Sequence, residues 1–505
     1  MSEPWWQKTV FYQIYPRSFA DANGDGVGDL EGIRQRLDYL SWLGVDAVWL
    51  SPFYPSPMAD FGYDVADYCG VDPVFGTLDD FDRLLDEAHE RNIRVIIDWV
   101  PNHTSDKHPW FVESRATRDS PKRDWYIWRD GTPDRPPNNW RRMFGEGPAW
   151  TWDDRTRAWY FHIFLPQQPD LNWANPEVVE AMHGVLRFWL DRGVDGFRAD
   201  VAHILGKGVE LPDYPEASSL ERVLEVDRRS LSLIGGFRKV LDSYPGDRMM
   251  VGEVYIFDAA RVAKYAAPGM LNLAFNFLPL WAPWDAAAWR QQMDAMYTEM
   301  TLAGGWPTWV ISNHDVPRHR TRYGSEARAR AAAVLLLTQR GTPFLYQGEE
   351  LGLENAVIPE DRVVDPGGRD GCRAPIPWTA ASDHGWPAEP WLPWPPEPEN
   401  RNVERLREDG GSILYLYRRL LEARRRSPAL QSGDFEWLPS PESVLAYLRI
   451  KGDERRAVAV NFSYGGLDVP IEGAWKVEDS SDLKDEGTPY KGNLRPSQAV
   501  ILSPV

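Results

Sequence analysis

Arg198 and Asp200, in the stretch Gly196-Phe197-Arg198-Ala199-Asp200, could do chemistry together. They end a short apolar run that follows Arg192-Gly193. Alternate residues of a strand point the same way, so both side chains would enter one space beyond it. A guanidinium beside a carboxylate keeps it ionised and oriented, which suits a carboxylate nucleophile. Taken alone, the same residues could equally be a structural ion pair in a core.

Other candidate strand ends carry polar groups too: Asp98-Trp99-Val100-Pro101-Asn102-His103, Gly252-Glu253-Val254 and Asn313-His314-Asp315. Polar ends in register on several strands argue against an accident of packing, because a barrel of parallel strands places its catalytic residues there. Asp200, Glu253 and Asp315 would then face one pocket. No Cys and His cluster has zinc spacing. No glycine-rich phosphate loop follows a strand, and GxSxG is absent. Paired carboxylates are the usual equipment for glycosidic bond cleavage, one attacking the sugar and one protonating the leaving oxygen. A third carboxylate can stabilise positive charge in the transition state.

The positioning elements are legible as short apolar runs alternating with amphipathic ones. Candidate strands are 10–16, 47–52, 94–100, 196–202, 249–254, 271–277, 308–315 and 342–348. Most lack clean alternation, as buried parallel strands do. Residues 32–43 place Ile33, Leu37, Leu40 and Leu43 on one helical face, with Gly44 as a stop. Residues 78–92 do the same with Phe81, Leu84, Leu85 and Ala88, and Thr77 can cap that helix with Asp80 in its first turn. The pattern predicts an α/β fold, a (β/α)8 TIM barrel. Its first part is expected over 1–104, an inserted lid subdomain over 105–174, and its second part over 175–429 with a loop subdomain at 351–409. Long insertions on the active face are usually functional. From 430 to 505 the pattern changes to short strands, an expected C-terminal antiparallel β-sandwich.

At 505 residues with net charge −19, the chain can bury a large core and lacks the basic balance that nucleic acid or an anionic membrane requires. The 25 tryptophans suit both core packing and the flat faces of sugar rings. Two cysteines, Cys69 and Cys372, allow no disulfide framework. No run approaches the roughly 18 apolar residues of a membrane span, and MSEPWWQKTV has no signal-peptide core. The expectation is a cytoplasmic monomer.

The motifs QIYPRSF, DWVPNHTS, QPDLNW, GFRAD, GEVY and SNHD follow in order between residues 13 and 315. Together they resemble the α-amylase superfamily, glycoside hydrolase family 13, and within it the α-glucosidase and oligo-1,6-glucosidase group. The resemblance implies a retaining, exo-acting α-glucosidase working on small α-glucosides by double displacement. A transglucosylase or sucrose isomerase on the same fold is the alternative. A non-catalytic barrel protein is a remote one, since all three carboxylates stand.

The resemblance implies Asp200 as nucleophile, Glu253 as general acid/base and Asp315 as transition-state stabiliser. It implies that Arg198 orients Asp200, and that His103 and His314 hydrogen-bond the same sugar. Tyr63 would stack on that sugar, while Asp64 and Arg373 would pair across the pocket and block chain extension. Phe144, Phe164 and Gln168 match residues lining that end. Val201, read as one step further along the strand, is associated in this group with α-1,6 cleavage. The loop Asp21-Ala-Asn23-Gly-Asp25-Gly-Val27-Gly-Asp29 has oxygen donors at alternate positions. The resemblance implies structural Ca2+ or Mg2+ held there by Asp21, Asn23, Asp25, Asp29 and the Val27 carbonyl. Cys372 departs from the small residues of many relatives.

Overall fold

The computed structural model describes residues 3–207, 210–213 and 219–505, without the side chains of 219–228. All eight expected strands form, each shorter than its apolar run: β1 Phe11–Ile14, β2 Ala47–Leu50, β3 Arg94–Trp99, β4 Gly196–Ala199, β5 Met249–Gly252, β6 Leu273–Ala274, β7 Thr308–Val310 and β8 Thr342–Tyr346. They make one parallel sheet in the order β7-β8-β1-β2-β3-β4-β5-β6. The two end strands meet through a side chain rather than a ladder. The Thr308 hydroxyl donates to the Ala274 carbonyl at 2.8 Å and accepts the Asn276 amide at 3.0 Å. This closes the barrel at the shortest strand.

The strand period of two sorts the side chains into two layers. Phe11, Ala47, Trp49, Ile96, Met249, Val251, Leu273, Val310 and Phe344 fill the barrel interior. Their neighbours Tyr12, Val48, Val95, Ile97, Phe197, Met250 and Leu345 face the helices. Asp98 and Arg198, in register on adjacent strands, continue the inward set at the C-terminal rim. Gly196 lies where a Cβ would sit 2.1 Å from the Met249 carbonyl oxygen, so glycine is required for β4 and β5 to approach.

The helix expected over 32–43 is two, α1 Leu30–Gln35 and α2 Leu37–Leu43, broken at Arg36, where φ is −103°. Asp29 caps α1, and Gly44 ends α2 in the left-handed region with φ 98°. The third, α3 Leu78–Glu90, carries a full capping box between Thr77 and Asp80.

Between β3 and β4 lies a three-stranded antiparallel sheet made of Trp128–Arg129, Ala158–Phe161 and Trp150–Asp153. Its aromatic core of Trp140, Trp150, Trp159 and Phe161 also takes in Val201 and Ile204 from the turn after β4. At the C-terminus, β9 Asp434–Trp437, β10 Val444–Lys451, β11 Glu454–Asn461, β12 Trp475–Ser480 and β13 Ala499–Pro504 form an antiparallel sheet in the order β9-β10-β11-β13-β12. One face, with Leu445, Tyr447, Val458 and Ile501, joins the main core. The other, with Val444, Ala446, Val500 and Leu502, packs with Val469 and Leu494.

Candidate active site

Parallel hydrogen bonding runs one residue past the strand ends and fixes the rim. The Asp200 amide donates to the Trp99 carbonyl at 2.8 Å, and the Glu253 amide to the Ala199 carbonyl at 2.8 Å. Their carboxylates therefore stand above the inward layer. Arg198, 1% exposed, ties them together. Its Nη1 lies 2.7 Å from Asp98 Oδ1 and 2.6 Å from Asp200 Oδ1, and its Nη2 lies 2.6 Å from Glu253 Oε2. The Val201 amide also donates to Glu253 Oε2, at 3.0 Å.

Three carboxylates share one guanidinium here, so they cannot all ionise without cost. Burial pushes Asp98 up to about 6 against the pull of Arg198. Burial also pushes Asp200 well above the ordinary carboxylate range; Arg198 opposes this, and Glu253 adds to it by charge and by a hydrogen bond. Asp200 is thus the carboxylate whose ionisation its neighbours oppose most, with Arg198 as the one charge that favours it. Asp98 was legible as a strand-end carboxylate, but nothing in its spacing showed that it would share Arg198.

Asp315 has the opposite balance. Arg369 Nη1 lies 3.0 Å and Arg373 Nη2 3.2 Å from its Oδ1, and His314 Nε2 lies 3.3 Å from its Oδ2. Burial works against ionisation, but His314 and the two arginines outweigh it and hold Asp315 below the usual carboxylate range. The Gln13 amide nitrogen is 2.7 Å from His314 Nδ1, and the Tyr63 hydroxyl 2.5 Å from Nε2. With Gln13 donating, the proton of the neutral ring sits on Nε2. Burial lowers His314 to about 3. The Tyr63 ring lies parallel to it, with centroids 5.4 Å apart.

The far wall corrects one expectation. Asp64 does not meet Arg373; it accepts from Ser56 Oγ at 2.8 Å and from the Ala59 and Asp60 amides at 2.9 and 3.0 Å, and so organises its own loop. The aspartate–arginine pair here is Asp60 with Arg369, at 2.6 Å. Arg373 instead stands behind Asp315, 3.2 Å from Asp365, and donates to the His314 carbonyl. Gln168 Nε2 donates to Asp60 Oδ2 at 3.0 Å and lies 3.1 Å from His103 Nε2. Phe164 packs edge-on to His103 at 5.2 Å and against Phe144 at 5.6 Å, with the Arg369 guanidinium 4.7 Å over the Phe144 ring. Every expected catalytic and substrate-binding residue except Asp64 therefore lies in this one network. Two Asp and two Arg, each pair four residues apart in sequence, made the wrong partners readable.

Val201 is not a strand residue as expected. The strand ends at Ala199, and Val201 sits in the left-handed region with φ 34°. Its side chain joins the aromatic core of the inserted sheet.

In the loop of residues 21–29, Asp21 accepts the Gly24 and Gly26 amides at 2.7 and 2.9 Å. Asp29 accepts those of Ala22, Asn23 and Gly32, and Asp25 that of Val27. The donor types suit a hard cation, but the carboxylates are turned to the loop's own backbone. Among the described residues no three His, Cys, Asp or Glu side chains converge as a metal site. No described helix is long and apolar enough to cross a membrane.

Comparison with known proteins gives the family. A probable α-glucosidase of Rhizobium meliloti (strain 1021) is 43% identical over 91% of this chain and 89% of its own length. An oligo-1,6-glucosidase of Parageobacillus thermoglucosidasius is 38% identical over 92% and 91%. Among solved structures, an α-glucosyl transfer enzyme superposes with TM-score 0.92 at 41% identity, covering 100% of both chains. The trehalulose synthase of Pseudomonas mesoacidophila MX-45 does so with TM-score 0.94 at 34% identity, again over 100% of both. Residues 13–433 match the family model for the α-amylase catalytic domain, and the chain belongs to that family of glycoside hydrolases.

Proposed function

We propose that the protein is a retaining exo-α-glucosidase acting on short α-glucosides. The observation that carries this reading is the bridge of Arg198 between Asp200 and Glu253, beside a pocket end shut by Asp60 and Arg369. A glucosyl ring stacked on Tyr63 would lie between these two features. In the first step Asp200 attacks the anomeric carbon, and Glu253 as the acid gives a proton to the leaving oxygen as the glycosidic bond breaks. In the second step Glu253 takes a proton from water as that water displaces Asp200. Asp315, ionised by its arginine neighbours, opposes the positive charge that develops on the ring. His103, Gln168 and Arg369 face the non-reducing end, where a further sugar would meet the Asp60–Arg369 pair.

The relatives named oligo-1,6-glucosidase support α-1,6 bonds as substrates, alone or with α-1,4 bonds. The loop of residues 21–29 would hold Ca2+ or Mg2+ through Asp21, Asn23, Asp25, Asp29 and the Val27 carbonyl. Its role would be to brace the turn that leads into α1. A second reading, transfer of glucose to a sugar acceptor, is favoured by the solved relatives with transferase and isomerase names. Incubation with isomaltose, maltose, trehalose, maltotriose and sucrose separates them. Free glucose from the disaccharides, with glucose and fructose from sucrose, supports hydrolysis. An isomerised disaccharide from sucrose supports the second reading, and no turnover of any substrate overturns both.

A further inference from the structure

Lys207 is buried, 4% exposed, and its ammonium meets three acceptors. Asp170 Oδ2 lies at 2.8 Å, the Ile204 carbonyl at 2.7 Å, and the third is Asn102 Oδ1. An ammonium has three N–H donors and no acceptor, so its capacity is spent. The contact with Asn102 has a consequence one residue further on. With Oδ1 committed to the ammonium, the amide nitrogen of Asn102 must face the other way. It lies 3.1 Å from Asp170 Oδ2 and 3.0 Å from His103 Nδ1. One N–H goes to the carboxylate and the other is left for the imidazole.

His103 Nδ1 must then accept, and the proton of the neutral ring is confined to Nε2. That nitrogen donates to the Tyr63 carbonyl at 3.1 Å; the Gln168 amide nitrogen, also 3.1 Å from it, directs an N–H to Asp60 Oδ2 at 3.0 Å instead. The opposite tautomer would set two N–H groups against each other at 3.0 Å in a buried site. The charged groups facing His103 are Asp170 and Lys207, with Asp60 reached through Gln168. Burial, with Lys207 beside it, keeps the ring neutral and lowers it to about 4, against the pull of Asp170.

We propose that Lys207 is a positioning residue that, through Asn102, holds His103 as the single neutral tautomer with its proton on Nε2, the ring nitrogen on the Tyr63 and Gln168 side. The network also joins three parts of the chain. Asn102 follows β3, Lys207 follows β4, and Asp170 lies at the end of the inserted segment, where it bridges His103 as an isolated ladder pair. The proposal rests on the reading that His103 touches the glucosyl ring.

The test uses full-length protein with 15N-labelled histidine and no substrate, with the His103 signals identified by their loss in His103→Gln. At pH 7 the wild type should show a protonated Nε2 and a bare Nδ1. Asn102→Asp keeps an acceptor for Lys207 but cannot donate to the ring, so the proton should move to Nδ1 or occupy both nitrogens. Lys207→Met should give averaged signals, and Lys207→Arg should restore the wild-type pattern. If Lys207→Met does not fold, Asn102→Asp carries the test, with its melting temperature as the check on structure. In hydrolysis of a small α-glucoside, Asn102→Asp should lose at least about tenfold in kcat/KM, the scale of one hydrogen bond. The same change in a His103→Ala background should cost nothing further. Ring signals unchanged in both variants, or a wild-type proton on Nδ1, would overturn the proposal. Signals that shift while kcat/KM stays constant would support the tautomer lock and overturn the contact of His103 with the sugar.

Discussion

Arg369 Nη2 lies 2.6 Å from Asp60 Oδ1, although the two residues are 309 positions apart in the chain. The same guanidinium reaches Asp315 and Asp365, at 3.0 and 2.6 Å. One side chain therefore both pairs with Asp60 and holds Asp315 ionised.

Arg369→Ala should uncouple these roles from the chemistry of Arg198. Breaking a buried pair leaves an uncompensated charge and costs about 3–5 kcal/mol, so Asp60→Asn is the gentler partner variant. Both should lose kcat/KM on disaccharides, and both should improve the ratio of longer oligosaccharide to disaccharide turnover. A steady-state comparison of maltose with maltotriose and longer chains reads this. An unchanged chain-length profile in both variants would remove the pair from specificity.

Asp200→Ala and Glu253→Gln should each lose at least about 10²-fold in rate, the scale of removing a nucleophile or an acid–base group. The first product seen by NMR should be the α-anomer, because two successive inversions at the anomeric carbon, from opposite faces, restore its configuration. β-Glucose appearing first would mean direct displacement by water and would exclude Asp200 as nucleophile.

Val201 stands between Glu253 and the core of the inserted sheet. Its amide donates to Glu253, and its left-handed backbone is costly for a β-branched residue. Isomaltose should be hydrolysed by the wild type, and Val201→Thr should shift the isomaltose-to-maltose ratio of kcat/KM towards maltose. Methylene-scale pocket changes are worth about 1–3 kcal/mol, so the shift should stay within about 200-fold. A wild type that cleaves maltose and leaves isomaltose untouched would refute the argument.

Glu349, buried behind β8, is pushed up to about 8, mainly by burial. The unfolded chain releases that proton near 4.5, the folded chain only near 8. The folded state thus binds more protons between these values, and stability falls as pH rises through them. The contribution is fully present below about 4.5 and gone above about 8. Melting temperatures measured from pH 5 to 9 should fall less steeply in Glu349→Gln than in the wild type. Parallel curves would show that Glu349 does not titrate in this window.

A cation held by residues 21–29 would act on stability before chemistry, since Asp21 and Asp29 hydrogen-bond the turn that leads into α1 and not Asp200, Glu253 or Asp315. Chelation should lower the melting temperature, and Asp21→Ala should make it insensitive to chelator. Elemental analysis that finds no metal, together with an unchanged melting temperature, would count against the cation.

Much of this protein was legible in its residues. The eight apolar runs set the strands, and their polar ends set Asp200, Glu253, Asp315, His103 and His314 at one rim, because a parallel barrel has only one place for them. The Thr77–Asp80 capping box and the Gly44 stop were equally local, requiring only neighbours in sequence. The failures were of another kind. Asp60 and Asp64 on one loop, and Arg369 and Arg373 on another, offered pairings that spacing could not separate. The choice fell to loop backbones, which spend Asp64 on the amides of Ala59 and Asp60 and leave Asp60 free for Arg369. The turn after Ala199 was likewise hidden, since the apolar run continues while the backbone does not. The Lys207–Asn102–His103 chain had no sequence signal, because its members lie up to 105 positions apart and meet only once β3 and β4 are paired.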